Sequence, residues 1–311
     1  MNTISKKPTV LVLGSTGQIG KMIVKELEQS ADVQIRLSSR RLEEVERLQR
    51  EGKDAVYLDM DDPRTFALAM VGVDRLFLLT GYTVAMVTQS KTLVDAAKKA
   101  GVKHIVHLGV FAEWDCTDPH FAWHLMIESY IKASGLAWTH LHPNVFMDNL
   151  LNFNALREDS FTLYWGSRAV GWVAVSDIAA VAAAALGEGP EKHHGRDYWM
   201  STEVLDGTQV AAILSEVTNR TIRCNLKGPE DFKAFINSPG VEVEQWYAEG
   251  GLDFMRQVSD GRMGYNGRMG YIGTIRDDVP FVLGRPSLTF REWASSHKDE
   301  FIELASGSST I

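Results

Sequence analysis

Along the first 145 residues the hydrophobic positions switch repeatedly between two spacings. The run TVLVLG (9–14) is unbroken apolar sequence of strand length, and Ile19, Ile23 and Leu27 then recur at helical spacing through residues 17–29. VQIRLSS (33–39) is rich in β-formers. RLEEVERLQREG (41–52) sets Leu42, Val45 and Leu48 on one helical face before Gly52 stops it. AVYLDM (55–60), DRLFLLT (74–80), HIVHLGV (104–110) and AWTHLHP (137–143) read as four further strands. Helices are expected from Pro63 to about Val71, over 86–100 and over 121–134, the last two ended by Gly101 and Gly135. Strand–helix alternation at this pace predicts βαβ units, hence an α/β fold with a doubly wound parallel sheet covered on both faces.

The second half breaks that rhythm. Two short strand-like runs surround Gly166 and Gly171 within 161–175. SDIAAVAAAAL (176–186) is an Ala-rich helix with Ser176 and Asp177, both capping residue types, at its start. DYWMS (197–201) and TIRCNL (221–226) read as strands, and Asp206 with Gln209 forms a capping box for a helix to Thr218. Residues 229–260 are mostly helical, and Thr289 with Glu292 opens a last helix to about Leu304. In GRMGYNGRMGYIG (261–273) the unit RMGY occurs twice. Two readings stay open for it, a surface loop with a small duplication or a mobile flap over a pocket. The expected division is a nucleotide-binding unit over 1–155, to which strands and helix of 170–200 return, a smaller α/β substrate region over 156–304, and a tail over 305–311.

Composition narrows the function classes. Asp and Glu number 40 against 32 Lys and Arg, a net charge of −8, which disfavours a nucleic-acid partner. Only Cys116 and Cys224 occur, far apart, so no disulfide framework is expected and a reducing compartment is the default. The apolar run near the start is too short for a signal segment or a membrane span. A soluble, cytoplasmic protein without a membrane partner is the expectation, with a homodimer as the candidate assembly.

The strongest chemical signal is strand–Gly14-Ser15-Thr16-Gly17-Gln18-Ile19-Gly20–helix. The first Gly permits the tight turn, the second lets the backbone approach a pyrophosphate, and the third lets helix and sheet pack closely. Amide N–H groups and the helix dipole then hold the phosphates. The second strand ends Ser38-Ser39-Arg40-Arg41 with no carboxylate to hold a ribose 2′-OH. Arg40 is suited to a 2′-phosphate and Ser39 adds a donor, so NADP(H) is the expected cofactor. The alternative is that Arg40 and Arg41 are the basic start of a solvated helix, but cations in a first turn oppose the helix dipole.

With these residues placed, the chain resembles the NmrA-like branch of the atypical short-chain dehydrogenases, whose members include triphenylmethane reductase, bacterial quinone reductases and catalytically inert NADP sensors. The resemblance covers nearly the whole chain. It rests on GSTGQIG (14–20), Arg40, LDMDD (58–62), LLTG (78–81), AGVKHIVHLG (100–109), HLMIESYIKASGLAWTHLHPNVFMDN (124–149) and VAVSDIAAVAAAAL (173–186). It implies a Rossmann-type sheet, with Asp59 and Met60 bordering the adenine and Leu79, Thr80 and Gly81 along the cofactor's middle. Pro143, Asn144 and Phe146 are implied near the nicotinamide.

The chain departs from the wider short-chain pattern where chemistry is usually done. Gly109 stands at the usual Ser position, His124 at the usual Lys and His120 at the usual Tyr. His120 and His124, four apart, share a helix face if the helix begins by 120. A His near pKa about 6.5 is a usable acid, so His120 is the candidate proton donor and His124 the candidate ribose and nicotinamide contact. The alternative makes both polar lining without chemistry. Cys116, His120 and His124 also recur every four residues with Asp118 near, but Pro119 breaks any helix before His120, and no metal site is expected. His193-His194 reads as a solvated turn.

Trp114, Phe121, Trp123, Phe146, Phe153 and Trp165 are expected around the nicotinamide end, joined by Trp246, Tyr247 and Phe254 from the smaller region. Such a lining suits a small hydrophobic or aromatic substrate. Two functions follow. One is an NADP(H)-dependent oxidoreductase passing hydride to a conjugated acceptor such as a quinone or iminium without the Ser/Tyr/Lys triad. The alternative is a non-catalytic NADP-sensing regulatory protein acting through a protein partner.

Overall fold

The computed structural model describes residues 6–30, 32–81, 83–152, 156–239, 241, 243–263 and 272–306. Strand and helix alternate through the first half: β1 (Thr9–Val12), α1 (Gln18–Gln29), β2 (Gln34–Ser39), α2 (Leu42–Arg50), β3 (Asp54–Tyr57), α3 (Phe66–Ala69, entered by a 3-10 turn at Pro63–Thr65), β4 (Arg75–Leu78), α4 (Met86–Ala100), β5 (His104–Leu108), α5 (Pro119–Ala133) and β6 (Ala137–Pro143). The second half holds β7 (Val145–Phe146), β8 (Ser160–Leu163), β9 (Val170–Val173), α6 (Val175–Glu188), α7 (Pro190–His193), β10 (Arg196–Ser201), β11 (Glu203–Leu205), α8 (Gly207–Thr218) and β12 (Arg223–Leu226). It closes with α9 (Pro229–Ile236), α10 (Gln245–Ser259), β13 (Arg276–Asp277), α11 (Val279–Leu283), α12 (Phe290–Ser296) and α13 (Lys298–Ala305).

Eight strands form one sheet in the order β13-β10-β6-β5-β4-β1-β2-β3, parallel throughout except for the antiparallel edge strand β13. Its strands read as continuous apolar runs because both faces are covered. The strand period of two sorts side chains between the faces. Val10, Val12, Phe77, Val106 and Leu141 point into a core with Ile19, Ile23 and Leu27 of α1 and the Ala-rich α6. Leu11, Leu76, Leu78 and Ile105 point into another with Leu93 and Val94 of α4 and Ile127 and Ile131 of α5. The smaller sheets, β11-β9-β7 and β12-β8, lie in a further core built on Trp172, Phe290, Trp293 and Phe301. Among the described residues no helix is long and apolar enough to cross a membrane.

Three local expectations are corrected. Ser176 and Asp177 do not cap α6, which begins at Val175 without a side-chain cap. Asp177 is fully buried, accepts from the Leu288 N–H at 2.8 Å and meets Arg285 at 2.8 Å, so a tertiary demand overrides the local one. The last helix is broken at His297. Its ring bonds the Trp293 carbonyl at 2.8 Å, and its backbone N–H turns to Ala294. His193 is not solvated but buried, bonded to Tyr198 at 2.8 Å and Glu188 at 2.6 Å, while His194 is exposed.

Candidate active site

The first βα turn is built as its glycines require. Gly14 adopts φ +62°, a left-handed conformation open to glycine. The Gly17 N–H closes the turn on the Gly14 carbonyl at 2.8 Å. A Cβ on Gly20 would lie 2.1 Å from that carbonyl oxygen, so helix and turn pack at a distance only glycine allows. Helix α1 has Gly17 as its N-cap, with no side-chain cap and no acidic residue in its first turn. Its N-terminus therefore keeps the positive end of its dipole unneutralised from within, the arrangement an anionic ligand needs.

At the end of β2, Ser38 and Ser39 are buried and Arg40 is exposed. The Ser38 hydroxyl donates to the Val12 carbonyl at 3.0 Å, so it is spent inside the sheet. The Ser39 hydroxyl accepts from the Arg41 N–H at 3.1 Å and keeps its proton for another partner. Arg41 takes the N-cap position of α2, and Glu43 and Glu44 fill the first turn. The dipole argument for Arg40 is thereby corrected. Arg40 lies outside the helix, and acids already complement the dipole; its case rests on its position at the strand end.

A cavity of about 470 Å³ opens from this turn. Gly14, Gly17, Gln18 and Ile19 form one end, and Leu79 and Thr80 follow from the end of β4. Gly109 after β5, Pro143 at the end of β6, and Asn144 and Phe146 beyond it form the floor. His120, Phe121 and His124 of α5, with Trp165, Phe254 and Ile272, form the wall. Strand C-termini converge here because neighbouring crossovers leave in opposite directions at the β1–β4 boundary, where doubly wound sheets bind ligands. Ser15, Thr16, Ser39, Arg40, Asp59, Met60 and Gly81 do not line the cavity. Asp59 and Met60 follow β3, where the Asp59 N–H bonds the Thr65 hydroxyl at 3.2 Å.

The aromatic expectation holds in part. Phe121, Phe146, Trp165 and Phe254 line the cavity, and Tyr247 meets His120 edge to face with ring centroids 4.9 Å apart. Trp114 is 87% exposed and Trp246 65% exposed, and Trp123 packs on the α4 side of the sheet. Phe153 and Gly264–Tyr271 of the glycine-rich segment fall outside the described residues. The described ends of that segment are tied down: Ile272 N–H bonds the Met263 carbonyl, and Gly171 N–H bonds the Ile272 carbonyl. Asn144 is structural as well as lining. Its Nδ2 donates to Ser201 Oγ at 3.2 Å and to the Ile272 carbonyl at 3.0 Å, and its Oδ1 accepts from Val145 N.

Helix α5 begins at Pro119, with Asp118 as N-cap accepting from Phe121 N at 2.8 Å. His120 and His124 thus share one face, while Cys116 lies outside the helix and Asp118 is committed as its cap. Neither histidine is an ordinary acid. Burial pushes His120 down to about 4. Burial, aided by His107 and His120, puts His124 well below the usual range. Both imidazoles are neutral at pH 7, which corrects the expectation of a histidine near 6.5.

A serine in place of Gly109 would require Glu128 to move aside. A Cβ on Gly109 would lie 2.6 Å from Glu128 Oε1 and 3.2 Å from the Leu141 carbonyl. Sequence reading missed Glu128 and the residues around it: His107 on β5, His140 and His142 on β6, and Asp197 on β10. The alternating histidines of AWTHLHP were the available signal, since they put two ionisable groups on one covered face. Glu128, His142 and Asp197 are the one trio of potential metal donors among the described residues. Both His142 nitrogens are already engaged, Nδ1 with the Val110 carbonyl at 2.9 Å and Nε2 with Asp197 at 3.1 Å, while Glu128 Oε1 stands 3.7 Å from Nδ1 without a hydrogen bond.

Known proteins resemble this chain in sequence and in fold. The chain is 32% identical over 296 residues to the NAD(P)H azoreductase of Xenophilus azovorans, covering 94% of this chain and 99% of that one. It is 26% identical to quinone oxidoreductase 2 of Escherichia coli, over 75% of this chain and 82% of that one. The triphenylmethane reductase of Citrobacter sp., solved with NADP(H), superposes with a TM-score of 0.75 at 23% identity, over 94% of this chain and 99% of that one, a likeness of fold. The profile of the NmrA-like family matches residues 6–251, and with the azoreductase likeness running nearly end to end, the chain belongs to that family.

Proposed function

We propose that the protein is an NADPH-dependent reductase of flat, conjugated organic acceptors such as quinones, iminium ions or azo compounds. One observation carries this reading: the cavity runs without interruption from the glycine turn to an aromatic wall. The residues fit the dinucleotide. Gly14 and Gly20 let the turn and α1 close on each other, and the uncapped start of α1, with Gly17 and Gln18 on the cavity, offers amide donors to a phosphate. Arg40 is available to a 2′-phosphate with no carboxylate at the strand end to repel it. When bound, the reduced nicotinamide supplies a hydride. The protein's part is alignment and exclusion of water, for which Phe121, Phe146, Trp165 and Phe254 are suited. Relatives named as an azoreductase and a quinone oxidoreductase support the acceptor class.

Gly109, His120 and His124 in place of the usual Ser, Tyr and Lys favour a second reading, a nucleotide sensor without turnover. NADPH oxidation measured across naphthoquinones, iminium dyes and azo dyes separates the two. Turnover with at least one class is expected; tight NADPH binding with no turnover on any class favours the sensor.

A further inference from the structure

The sheet face beneath α5 is apolar along β4 and turns ionisable along β5, β6 and β10. His107, His140 and His142 occupy it, and Asp197 lies across from His140 in register. Helix α5 covers them with His124 and Glu128 instead of hydrocarbon. Such a departure from the apolar pattern marks function more often than stability.

These groups form a continuous row. His120 and His124 line the cavity with ring centroids 5.1 Å apart. His124 and His107 follow at 5.7 Å. His107 and Glu128 Oε1 flank one point, 3.5 Å and 2.6 Å from where a Gly109 Cβ would sit. Glu128 Oε1 lies 3.7 Å from His142 Nδ1, and His142 Nε2 lies 3.1 Å from Asp197 Oδ1. The Asp197 side chain is 34% exposed and also meets Lys132 at 3.4 Å. Beyond it, Trp199 stacks on His142 at 4.3 Å and Arg276 stacks on Trp199 at 3.6 Å, itself paired with Glu113. His107 at both nitrogens, His124 at Nδ1 and Glu128 at Oε1 are buried without a hydrogen-bond partner. A purely structural array would pair such atoms. At these ring separations a turn of each ring brings neighbouring nitrogens toward bonding distance.

We propose that Asp197, His142, Glu128, His107 and His124 form a proton path from solvent to the cavity. The path rests on the reductase reading and on its quinone and azo acceptors, each of which takes up one proton with the hydride, whereas an iminium ion takes none. A solvent proton enters at the Asp197–His142 pair. The protonated Glu128 carboxyl, whose Oε1 lies between His142 and His107, releases its proton toward His107 and is reprotonated from His142. His107 and then His124 accept on one ring nitrogen and release from the other, and the acceptor receives the last proton. Each group ends with the proton count it began with. Burial pushes Glu128 up to about 7, against the pull of His142 and Lys132, so it holds and releases a proton near neutral pH. Burial holds His107 neutral, down to about 3. Gly109 is the opening that admits Glu128 to the row.

Glu128→Gln in the full chain tests the path in two ways. Turnover with a naphthoquinone should fall at least about tenfold, lose its pH inflection near 7 and keep the KM for NADPH. Independently of turnover, the imidazole N–H protons of His107 and His124, followed by nitrogen-15 NMR, should exchange with solvent at least about tenfold more slowly than in wild type. Unchanged exchange and an unchanged pH profile overturn the proposal. Wild-type protein that oxidises no NADPH, yet exchanges these protons through Glu128, sinks the reductase reading and keeps the path. Should Glu128→Gln not fold, Asp197→Asn at the solvent end is read by the same two measurements, with slower exchange supporting the path and wild-type exchange overturning it.

Discussion

Arg40 shows how a residue's role follows from position more than from type. A guanidinium at the exposed end of β2 is outside α2, whose own acids satisfy its dipole. Its free fork is suited to the extra phosphate that separates the two pyridine dinucleotides. Arg40→Asp should weaken NADPH binding roughly 10- to 100-fold, the equivalent of losing a charge-assisted hydrogen bond, and improve NADH binding. Equal NADPH affinity in that variant, measured by fluorescence titration, removes Arg40 from the site. The glycine turn was readable because its constraint is local: Gly14 needs its φ and Gly20 its missing Cβ. Gly109 was readable only as a missing serine. The reason for the absence, Glu128 pressed against it, comes from a residue nineteen positions on and the sheet register of a third segment.

Among the elements, α5 brings most of the candidate chemistry to the cavity, and its start depends on Asp118. This carboxyl is fully buried, caps Phe121 N and is pushed up to about 7 by burial, with Asp253 adding to the rise. A raised folded pKa means that its stabilising contribution is complete below the unfolded value of about 3.8 and is lost as pH climbs through about 7. Asp118→Asn keeps the cap without titrating, so it should gain on wild type between pH 4 and 7 and hold that lead above. Asp118→Ala should lose about 1 kcal/mol at pH 5 through the missing cap. Urea unfolding at pH 5 and 8 checks both, and an Asn variant that trails wild type at pH 8 contradicts the assignment. Elements were legible where the signal lies within one segment: apolar strand runs, glycine stops at Gly101, and the capping boxes at Asp206 and Thr289. The two-residue strands β7 and β13, the break at His297 and the burial of Asp177 were not, because each is decided by a partner distant in the chain.

For the whole molecule, the buried histidines dominate the response to acid. His104 and His107 are pushed down to about 3 and His120 to about 4, and His124 and His140 well below the usual range, by burial first in each case. For these five groups the unfolded chain binds protons that the folded chain refuses, so stability is complete above about pH 6.5 and is lost as pH falls below it. Asp118 and Glu128, both raised to about 7, act in the opposite direction, as do Asp148, raised by burial, and His142, raised against its burial by the hydrogen bond to Asp197, but they are four against five. The net slope is toward lower stability in acid, at about 1.4 kcal/mol per pH unit for each uncompensated group. The melting temperature should therefore be lower at pH 5 than at pH 7, and a melting temperature at pH 5 equal to or above that at pH 7 contradicts the protonation states assigned to the site. The central claim is that one continuous cavity aligns NADPH with an aromatic acceptor. Stopped-flow mixing of the NADPH-loaded protein with a naphthoquinone or an azo dye tests it most directly. The account predicts loss of the nicotinamide absorbance in a single turnover, matched one for one by acceptor reduction; bound NADPH that stays reduced against every acceptor would contradict it.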